Sequence, residues 1–492
     1  MWQVLKKNWP IIVIWLLVFI FGSVYSTYSI VRHLKMETFA FDLGIYDQII
    51  WLFGHGRPLF SSLLEVHPWA DHFTPTLLLL SPLYWLWDNV IILLVFQAFF
   101  SCLGAIPIYL LAKKKLNNEI VSIVIAFGYL AFWGIQNAIA FDFHPIMLAT
   151  TLLAYIFWFY ENKKFKLFWL TILLILGLQE NFFLLMAAYG IFLVFRFRDW
   201  KRGGALFLGG LGIFGILVTV IMPGFGQTFT YAPIHLKKIG EMGVIGGIGE
   251  IINLMINPSS KLEVMYYSLA SFGFLPLLSP VSWILLLEEF GQRFVGTLIP
   301  TRWEMGFQYN CILAPILAWG TMEGIERVQK LKGTRGIIER NGIIILGIIA
   351  VFAGTVMVQI KTIPAMNDLL DKKFYDYSRT NDAREVLAQI PPDSSVAAIN
   401  NYIPQLTHRE HIILLTNCIE RPGDWRVDVK RCFKLQPEYM IDDINLEHSN
   451  WNDYYPDYDR WVVKRLFDYL VVQKKYKIVY QKGTVVLIQK IN

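Results

Sequence analysis

Runs of apolar residues separated by short polar stretches dominate the chain between residues 10 and 360. The first run, 10–31, is long enough for a helix that crosses a bilayer, because such a helix needs about 20 residues. Ten further runs follow, at 90–112, 120–140, 145–160, 167–178, 182–195, 205–222, 264–278, 281–287, 310–322 and 343–360. The pattern predicts about eleven transmembrane helices, and therefore a polytopic α-helical membrane protein.

One apolar stretch, 76–87, is too short to cross a bilayer, and Pro75 and Pro82 interrupt it. It contains Tyr84 and Trp85, and aromatic residues of these types prefer the membrane–water interface. We therefore expect an interfacial helix on the outer surface of the membrane.

Clusters of lysine and arginine set the direction of the helices, since cytoplasmic loops carry an excess of these residues. Lys6 and Lys7 place the N-terminus in the cytoplasm, and the later basic clusters then also fall inside, at 113–115, 163–166, 196–202 and 327–340. A full span at 76–87 would move all of these later clusters outside, so we reject it. The residues after 360 are then extracytoplasmic.

The tail has the pattern of a small α/β domain exposed to water. A helix is predicted at 382–390 and ends at two prolines, and an amphipathic helix is predicted at 459–472. Strands are predicted at 395–399 and 412–415, and a hairpin at 478–489 turns at Gly483. The predicted domains are thus a transmembrane domain at 1–360, which includes the outer loop 32–89, and an extracytoplasmic domain at 381–492.

Composition supports a membrane protein and excludes some partners. The chain is 55% hydrophobic and 17% charged, whereas soluble domains are about 25% charged. Much of the net charge of +6 lies in clusters between predicted helices, so it gives no reason to expect a nucleic acid partner. Four cysteines are too few for a disulfide scaffold, although Cys418 and Cys432 could pair if the tail faces an oxidising compartment.

Polar residues at the ends of the predicted helices are the first candidates for chemistry, because ionised groups are costly in lipid. Two aspartates around a glycine, Asp42 and Asp47, follow the first span. The predicted topology places further polar residues on the same outer side: Arg57, Asp71, His72, Asp142, His144, Glu180, Arg302 and Tyr309. Irregular polar backbone at membrane depth occurs where it lines a cavity or is buried in protein. The polar interruptions between the predicted helices therefore predict a cavity that opens to the outer surface.

Each of these residues also has a purely structural interpretation. The aspartates of the first outer loop could cap helices, and Asp142 could pair with His144 at a helix end. Glu180 could pack against a neighbouring polar group, and Arg302 could bind lipid headgroups. Ligand types for a divalent metal are present, but not at a spacing such as His-Glu-x-x-His. We therefore expect no cofactor, with a metal as the alternative.

Several short motifs together resemble one family. They are Phe-Asp-Leu-Gly-x-x-Asp-Gln (41–48), His-Gly-Arg-Pro-Leu (55–59), Asp-His-Phe-x-Pro (71–75), Phe-Asp-Phe-His-Pro (141–145), Gln-Glu-Asn (179–181), Tyr-Asn (309–310) and Val-Ala-Ala-Ile-Asn (396–400). Over roughly residues 35–440 the chain resembles domain of unknown function twenty seventy-nine, a family of prokaryotic membrane proteins. Relatives tend to have Lys-Glu-Asp where this chain has Gln-Glu-Asn, so an ionic role at that motif is expected only of Glu180.

That family resembles the GT-C glycosyltransferases, which have many helices and a catalytic aspartate in the first outer loop. The resemblance implies an inverting transfer of a sugar from a polyprenyl-phosphate-linked donor to a glycan, lipid or protein acceptor. Asp42 would be the general base, and Asp47 would orient the loop or the acceptor. Arg302, with Arg57 or His72, would bind the phosphate. The remaining polar residues would line the substrate site, and membrane lipids would surround the helices.

Two other classes of function are consistent with the sequence. Helices broken by polar residues are also typical of transporters, so a transporter or flippase for a lipid-linked substrate is one alternative. Here, however, the breaks cluster at the outer surface, and the hydropathy pattern has no visible inverted repeat. The other alternative is a non-catalytic membrane scaffold whose tail binds partners.

Overall fold

The computed structural model describes residues 2–226, 239–331, 337–362, 367–415, 436–443, 467–468 and 470–491. Most of these residues are helical, and the contacts between them separate two units. The first unit comprises residues 1–28, 69–77 and 95–370, and the second comprises 29–68, 78–94 and 371–492.

The helices follow the apolar runs. In chain order they are α1 (Trp2–Leu34), α2 (Ile45–Gly54), α3 (Pro68–Asp71), α4 (Leu83–Leu86), α5 (Ile91–Cys102), α6 (Ala105–Leu116), α7 (Glu119–Leu130), α8 (Trp133–Ala140), α9 (Pro145–Glu161), α10 (Phe165–Leu176), α11 (Phe182–Phe197), α12 (Trp200–Ile216), α13 (Gly243–Ile256), α14 (Ser260–Ala270), α15 (Ser282–Phe294), α16 (Leu313–Leu331), α17 (Ile337–Thr362) and α18 (Asn381–Leu387). Side-chain caps begin two of them, since Asn118 accepts from the Val121 amide and Asp199 from the Arg202 amide.

Five helical segments among the described residues are long and apolar enough to cross a membrane, at Asn8–Leu34, Ile91–Leu116, Glu119–Ala140, Trp200–Phe225 and Asn341–Val358. Shorter apolar helices lie between them, including α9, α10 and α11. The predicted runs match these helices in position, whereas the total of eleven spans stays a prediction. The predicted interfacial stretch forms a 3₁₀ helix, Pro75–Leu80, followed by the single turn of α4.

The second unit contains a five-stranded mixed sheet in the order β2-β1-β3-β5-β4. Its strands are β1 (Val396–Ala398), β2 (Ile412–Leu414), β3 (Tyr439–Asp443), β4 (Tyr476–Lys482) and β5 (Val485–Lys490). β1 pairs in parallel with β2 and β3, while β5 runs antiparallel to β3 and β4. The predicted strands and the hairpin are confirmed, and Gly483 takes a positive φ of 54° at its turn.

Three features of the tail differ from the predictions or lie beyond the described residues. β3 was not predicted, because it is short and ends in two aspartates that resemble a turn sequence. Only the last part of the predicted helix 459–472 is described. Cys418 and Cys432 lie outside the described residues, so their pairing stays a prediction.

The loop that follows α1, which is predicted to lie outside the membrane, packs into the core of the sheet unit. Ile45 and Ile49 lie one helical turn apart on α2, and both are buried with Met36, Ala40 and Leu63 against residues of the strands. The hydropathy pattern predicts this loop as part of the transmembrane domain, whereas the contacts group it with the tail. The physical reason is that an amphipathic helix must bury its apolar face, and the sheet supplies the surface.

Candidate functional site

Asp42 has an unusual backbone conformation. It lies within a π-type turn, Ala40–Gly44, with φ of 69° and ψ of −77°. These angles correspond to the γ-turn with positive φ, which is rare and strained for a residue with a side chain. Such strain persists only where the surrounding structure fixes the backbone, and it is concentrated at functional sites. The half-buried Asp42 is therefore a functional candidate on structural grounds as well as by its motif.

Residues of the tail fix this turn. The amide of Ala40 donates to both the backbone oxygen of Asn400, at 3.1 Å, and its side-chain oxygen, at 2.9 Å. Gly44 approaches the tail so closely that a Cβ there would lie 3.0 Å from Cγ2 of Ile403. The motif at 396–400 thus forms β1 and then holds the loop that carries Asp42.

Asp47 is fully buried in the first turn of α2. One of its carboxylate oxygens accepts a hydrogen bond from the Tyr84 hydroxyl and the other accepts one from the Thr407 hydroxyl. Nε2 of His408 lies 3.2 Å from the second oxygen. Both oxygens are thus engaged by protein groups, and this favours the predicted orienting role of Asp47 over contact with an acceptor.

Arg57 is exposed and pairs with Glu410 at 2.9 Å, with 54% and 41% of the two side chains accessible. A surface ion pair of this kind contributes little to stability. A phosphate at Arg57 would have to compete with the Glu410 carboxylate.

In the first unit, Glu180 joins the break between α10 and α11 to the segment after α3. The Glu180 side chain is fully buried; its Oε1 lies 2.8 Å from Nδ1 of His72 and its Oε2 accepts from the Phe73 amide at 2.9 Å. Asp71 lies farther away, with Oδ2 at 3.9 Å from Nε2 of His72. The amide nitrogen of Gln179 lies 3.2 Å from Nδ1 of His72, so two residues of the motif 179–181, Gln179 and Glu180, contact this imidazole.

The charge of His72 follows from these neighbours. Burial opposes protonation, but the charge and hydrogen bond of Glu180, together with Asp71, raise the pKa of His72 to about 9. The positive charge of Arg302 opposes this rise in the pKa of His72. His72 is therefore an imidazolium at neutral pH.

Asp142 and His144 are buried and are held through their main chain. Nε2 of Gln97 donates to the Asp142 carbonyl at 2.7 Å, and the His144 amide donates to Oε1 of Gln97 at 2.7 Å. Asp142 also has a positive φ, 75°, so both Phe-Asp motifs place their aspartate in a strained conformation. Gln97, which the sequence analysis did not identify, fixes the break before α9.

Arg302 and Tyr309 belong to one segment near α15. The Arg302 guanidinium carbon lies 4.5 Å from the centroid of the Tyr309 ring, which is a cation–π distance. The next residue, Asn310, accepts from Nη1 of Arg293 at 2.7 Å and donates to the Glu304 carbonyl at 3.1 Å. Phe307 of this segment packs on Phe141, with ring centroids 5.0 Å apart, and so links it to the Asp142 motif.

The predicted site residues therefore fall into two groups. Asp42, Asp47 and Arg57 belong to the second unit, and the others, from Asp71 to Tyr309, belong to the first. A single outer cavity that contains both groups stays a prediction. Among the described residues, no group of three or more histidine, cysteine or acidic side chains has a geometry that could hold a metal ion.

His408 and Asp88 were missed by the sequence analysis. His408 contacts both Asp47 and Asp88, yet it lies in a polar stretch that resembles an ordinary surface segment. Asp88 lies in a two-residue polar break between apolar runs, which resembles an ordinary turn. For His408 the sequence offered one signal, the polar run Thr-His-Arg-Glu-His at 407–411, which directly precedes a strand.

The fold and these motifs define a polytopic membrane protein, and its fold has solved counterparts. The chain is similar to ArnT from Cupriavidus metallidurans in the apo state, with 12% identity, a TM-score of 0.55 and coverage of 99% of this chain and 98% of ArnT. It is also similar to ArnT from Cupriavidus metallidurans bound to undecaprenyl phosphate, with 11% identity, a TM-score of 0.53 and 98% coverage of each chain. ArnT is a GT-C glycosyltransferase, and at these identities the likeness shows the fold.

The chain belongs to the family described as Predicted membrane protein (DUF2079), whose sequence profile matches residues 32–482. This confirms the resemblance expected from the motifs. No curated protein matches the chain.

Proposed function

We propose that the protein is an integral membrane glycosyltransferase that moves a sugar from a polyprenyl-phosphate-linked donor to an acceptor hydroxyl on the outer face. The observation that carries this proposal is the strained Asp42 turn in the first outer loop of a chain with a GT-C fold. The carrier class is supported by the ArnT structure that contains undecaprenyl phosphate.

The reaction breaks the bond between the anomeric carbon and the phosphate oxygen, and the electron pair leaves with the polyprenyl phosphate. The acceptor oxygen forms a new bond to the anomeric carbon with inversion. Asp42 takes the acceptor proton as general base, a role that needs a carboxylate within hydrogen-bond reach of the acceptor. Asp47 orients the loop from its buried position.

The departing phosphate needs positive charge. The His72 imidazolium and the Arg302 guanidinium provide two cations in one neighbourhood, and groups that are already oriented stabilise developing charge most effectively. Arg57 is a further candidate, although Glu410 already neutralises part of its charge. Asp71, Asp142, His144, Glu180 and Tyr309 then shape the substrate site, and Glu180 keeps His72 protonated.

The proposed topology has eleven spans, with the N-terminus in the cytoplasm and the tail outside. The positive-inside distribution of the basic clusters supports this arrangement. The acceptor is a glycan, lipid or protein hydroxyl on the outer surface.

The test uses the full-length protein in lipid vesicles with a panel of undecaprenyl-phosphate-linked sugars and a crude outer-envelope acceptor extract. Mass spectrometry measures released undecaprenyl phosphate, which is the same product whatever sugar is transferred. Asp42→Asn should lower the rate by about 10²–10⁴-fold, as expected for loss of a general base, while donor binding is unchanged. The matched control is Asp468→Asn, since Asp468 is an exposed aspartate of the tail.

A rate for Asp42→Asn within about threefold of wild type would exclude Asp42 as the base, because general-base assistance is larger than this. Movement of the donor across the vesicle membrane with no release of undecaprenyl phosphate would instead indicate a flippase.

A further inference from the structure

We propose that His408 is a positioning residue for the outer loop that carries Asp42, acting as a charged clamp between Asp47 and Asp88. The inference rests on the proposed function, because the loop matters most if Asp42 is the base. According to this proposal, residues of the tail fix the position of the loop that carries Asp42.

The geometry of His408 is that of a residue held on several sides. Its Nδ1 lies 2.8 Å from Oδ1 of Asp88, and its Nε2 lies 3.2 Å from Oδ2 of Asp47. The Trp51 ring stacks on the imidazole with centroids 5.5 Å apart and planes inclined by 17°. The Tyr84 ring contacts it edge-on, with centroids 5.0 Å apart.

The neighbours of His408 also bind the loop. Thr407 donates to Asp47, and the carbonyls of Arg409 and Glu410 accept from Nε2 of Gln48 at 3.2 Å and 3.3 Å. The Arg57–Glu410 pair adds a contact beyond the end of α2. Four consecutive tail residues, 407–410, therefore set the position of α2.

Helix α2 transmits this position to Asp42. It begins at Ile45, whose amide donates to the carbonyls of Ala40 and Asp42. A shift at the first turn of α2 therefore moves the Asp42 backbone directly. A displacement of about 1 Å at a reacting group can cost about 10²-fold in rate, so the position of α2 bears on catalysis.

The clamp depends on charge. Asp47 is buried, and a buried carboxylate needs a cation or several hydrogen bonds. Burial alone would lower the pKa of His408, but the charges of Asp47 and Asp88 raise it above its usual range. The titratable groups that face His408 are Asp47 and Tyr84 on one side and Asp88 on the other. The clamp therefore holds fully below the ordinary pKa of histidine, where His408 is protonated. It is lost as pH rises through the raised pKa that His408 has in the folded protein.

The test is a spin label on Phe41→Cys, since Phe41 is 52% exposed and adjoins Asp42. The native cysteines are replaced by serine, and the full-length protein is studied in lipid nanodiscs between pH 6 and pH 10. The label should be immobilised at pH 6 and gain a mobile component at high pH. In His408→Gln it should be mobile throughout, whereas the control His411→Gln, at an exposed position, should behave as the parent protein does.

A spectrum of His408→Gln that matches the parent at every pH would overturn the proposal. Asp88→Asn provides a second variant if His408→Gln does not fold, because 53% of the Asp88 side chain is exposed. Removing this carboxylate should lower the pH at which the label becomes mobile, and an unchanged midpoint would also overturn the proposal.

In the transfer assay, His408→Gln should reduce kcat about tenfold or more with little change in KM for the donor, because positioning of the base and not donor binding is altered. The spin-label result does not need activity. If the label behaves as predicted in the parent and in His408→Gln but the wild-type protein transfers no sugar, the proposed function alone is refuted. If the wild-type protein transfers sugar but the label in His408→Gln matches the parent, the clamp alone is refuted.

Discussion

The strain at Asp42 makes a prediction that separates stability from activity. Asp42 has φ of 69° and ψ of −77°, a backbone region that glycine adopts without steric strain and that is strained for residues with a Cβ. Asp42→Gly should therefore stabilise the protein while abolishing transfer. Ordinary structural residues rarely behave in this way, because removing their side chains usually costs contacts.

The size of the effect follows from two opposing terms. A residue in a sparsely populated backbone region costs about 1–3 kcal/mol, which glycine relieves. Glycine also increases the conformational entropy of the unfolded chain, and this lowers the free energy of unfolding by about 0.5–1 kcal/mol. The middle values of these two ranges leave an expected net stabilisation of about 1 kcal/mol. For units of about 150–250 residues, 1 kcal/mol shifts Tm by about 2–4 °C, so Tm should rise by about 2–4 °C.

The assay is thermal unfolding of the full-length protein in detergent, followed by intrinsic fluorescence, beside the undecaprenyl phosphate release assay. Asp42→Ala is the comparator, because it removes the carboxylate and keeps a Cβ at the strained position. Lys163→Gly is the matched control: Lys163 is exposed with φ of 56°, so its replacement should raise Tm without loss of transfer.

Equal Tm values for Asp42→Gly and Asp42→Ala would refute backbone strain at position 42, because glycine would then relieve nothing that alanine does not. Retained transfer in either variant would separately refute the role of Asp42 as base.

Two further predictions concern His72 and the topology. The pKa of His72 is raised to about 9, so its contribution to stability is complete below about pH 6.5 and is lost as pH rises through 9. Glu180→Gln should cost about 1–3 kcal/mol at pH 6 and remove most of the fall in Tm between pH 6 and pH 10; an unchanged pH profile would contradict this. For the topology, a membrane-impermeant thiol reagent applied from outside should label Asn450→Cys and spare Lys114→Cys, and the reverse pattern would exclude the proposed orientation.

The division into two units changes how the motifs are understood. Asp42 and Asn400 lie far apart in sequence, yet Asn400 binds the backbone just before Asp42. Glu180 and His72 are a second such pair. Motifs that are distant in sequence therefore contact one another, and some of them hold another motif in place.

The sequence by itself determined the membrane class, the positions of the apolar helices and the local structure of the hairpin. The reason is that lipid forces the backbone to satisfy its own hydrogen bonds, so an apolar run of sufficient length has few alternatives to a helix. The turn at Gly483 is likewise a local property. Asp42 could be predicted as a candidate functional residue because its motif is compact and family-specific.

Only the tertiary structure decided which unit holds the Asp42 loop and which residues support it. The apolar face of α2 required a partner, but its periodicity carries no information about which surface covers it. The burial of Asp47, the contact of His408 with Asp47 and the hydrogen bonds of Gln97 depend on packing between segments remote in sequence. Contacts of that range are fixed by the cooperative burial of whole surfaces, which no local pattern records.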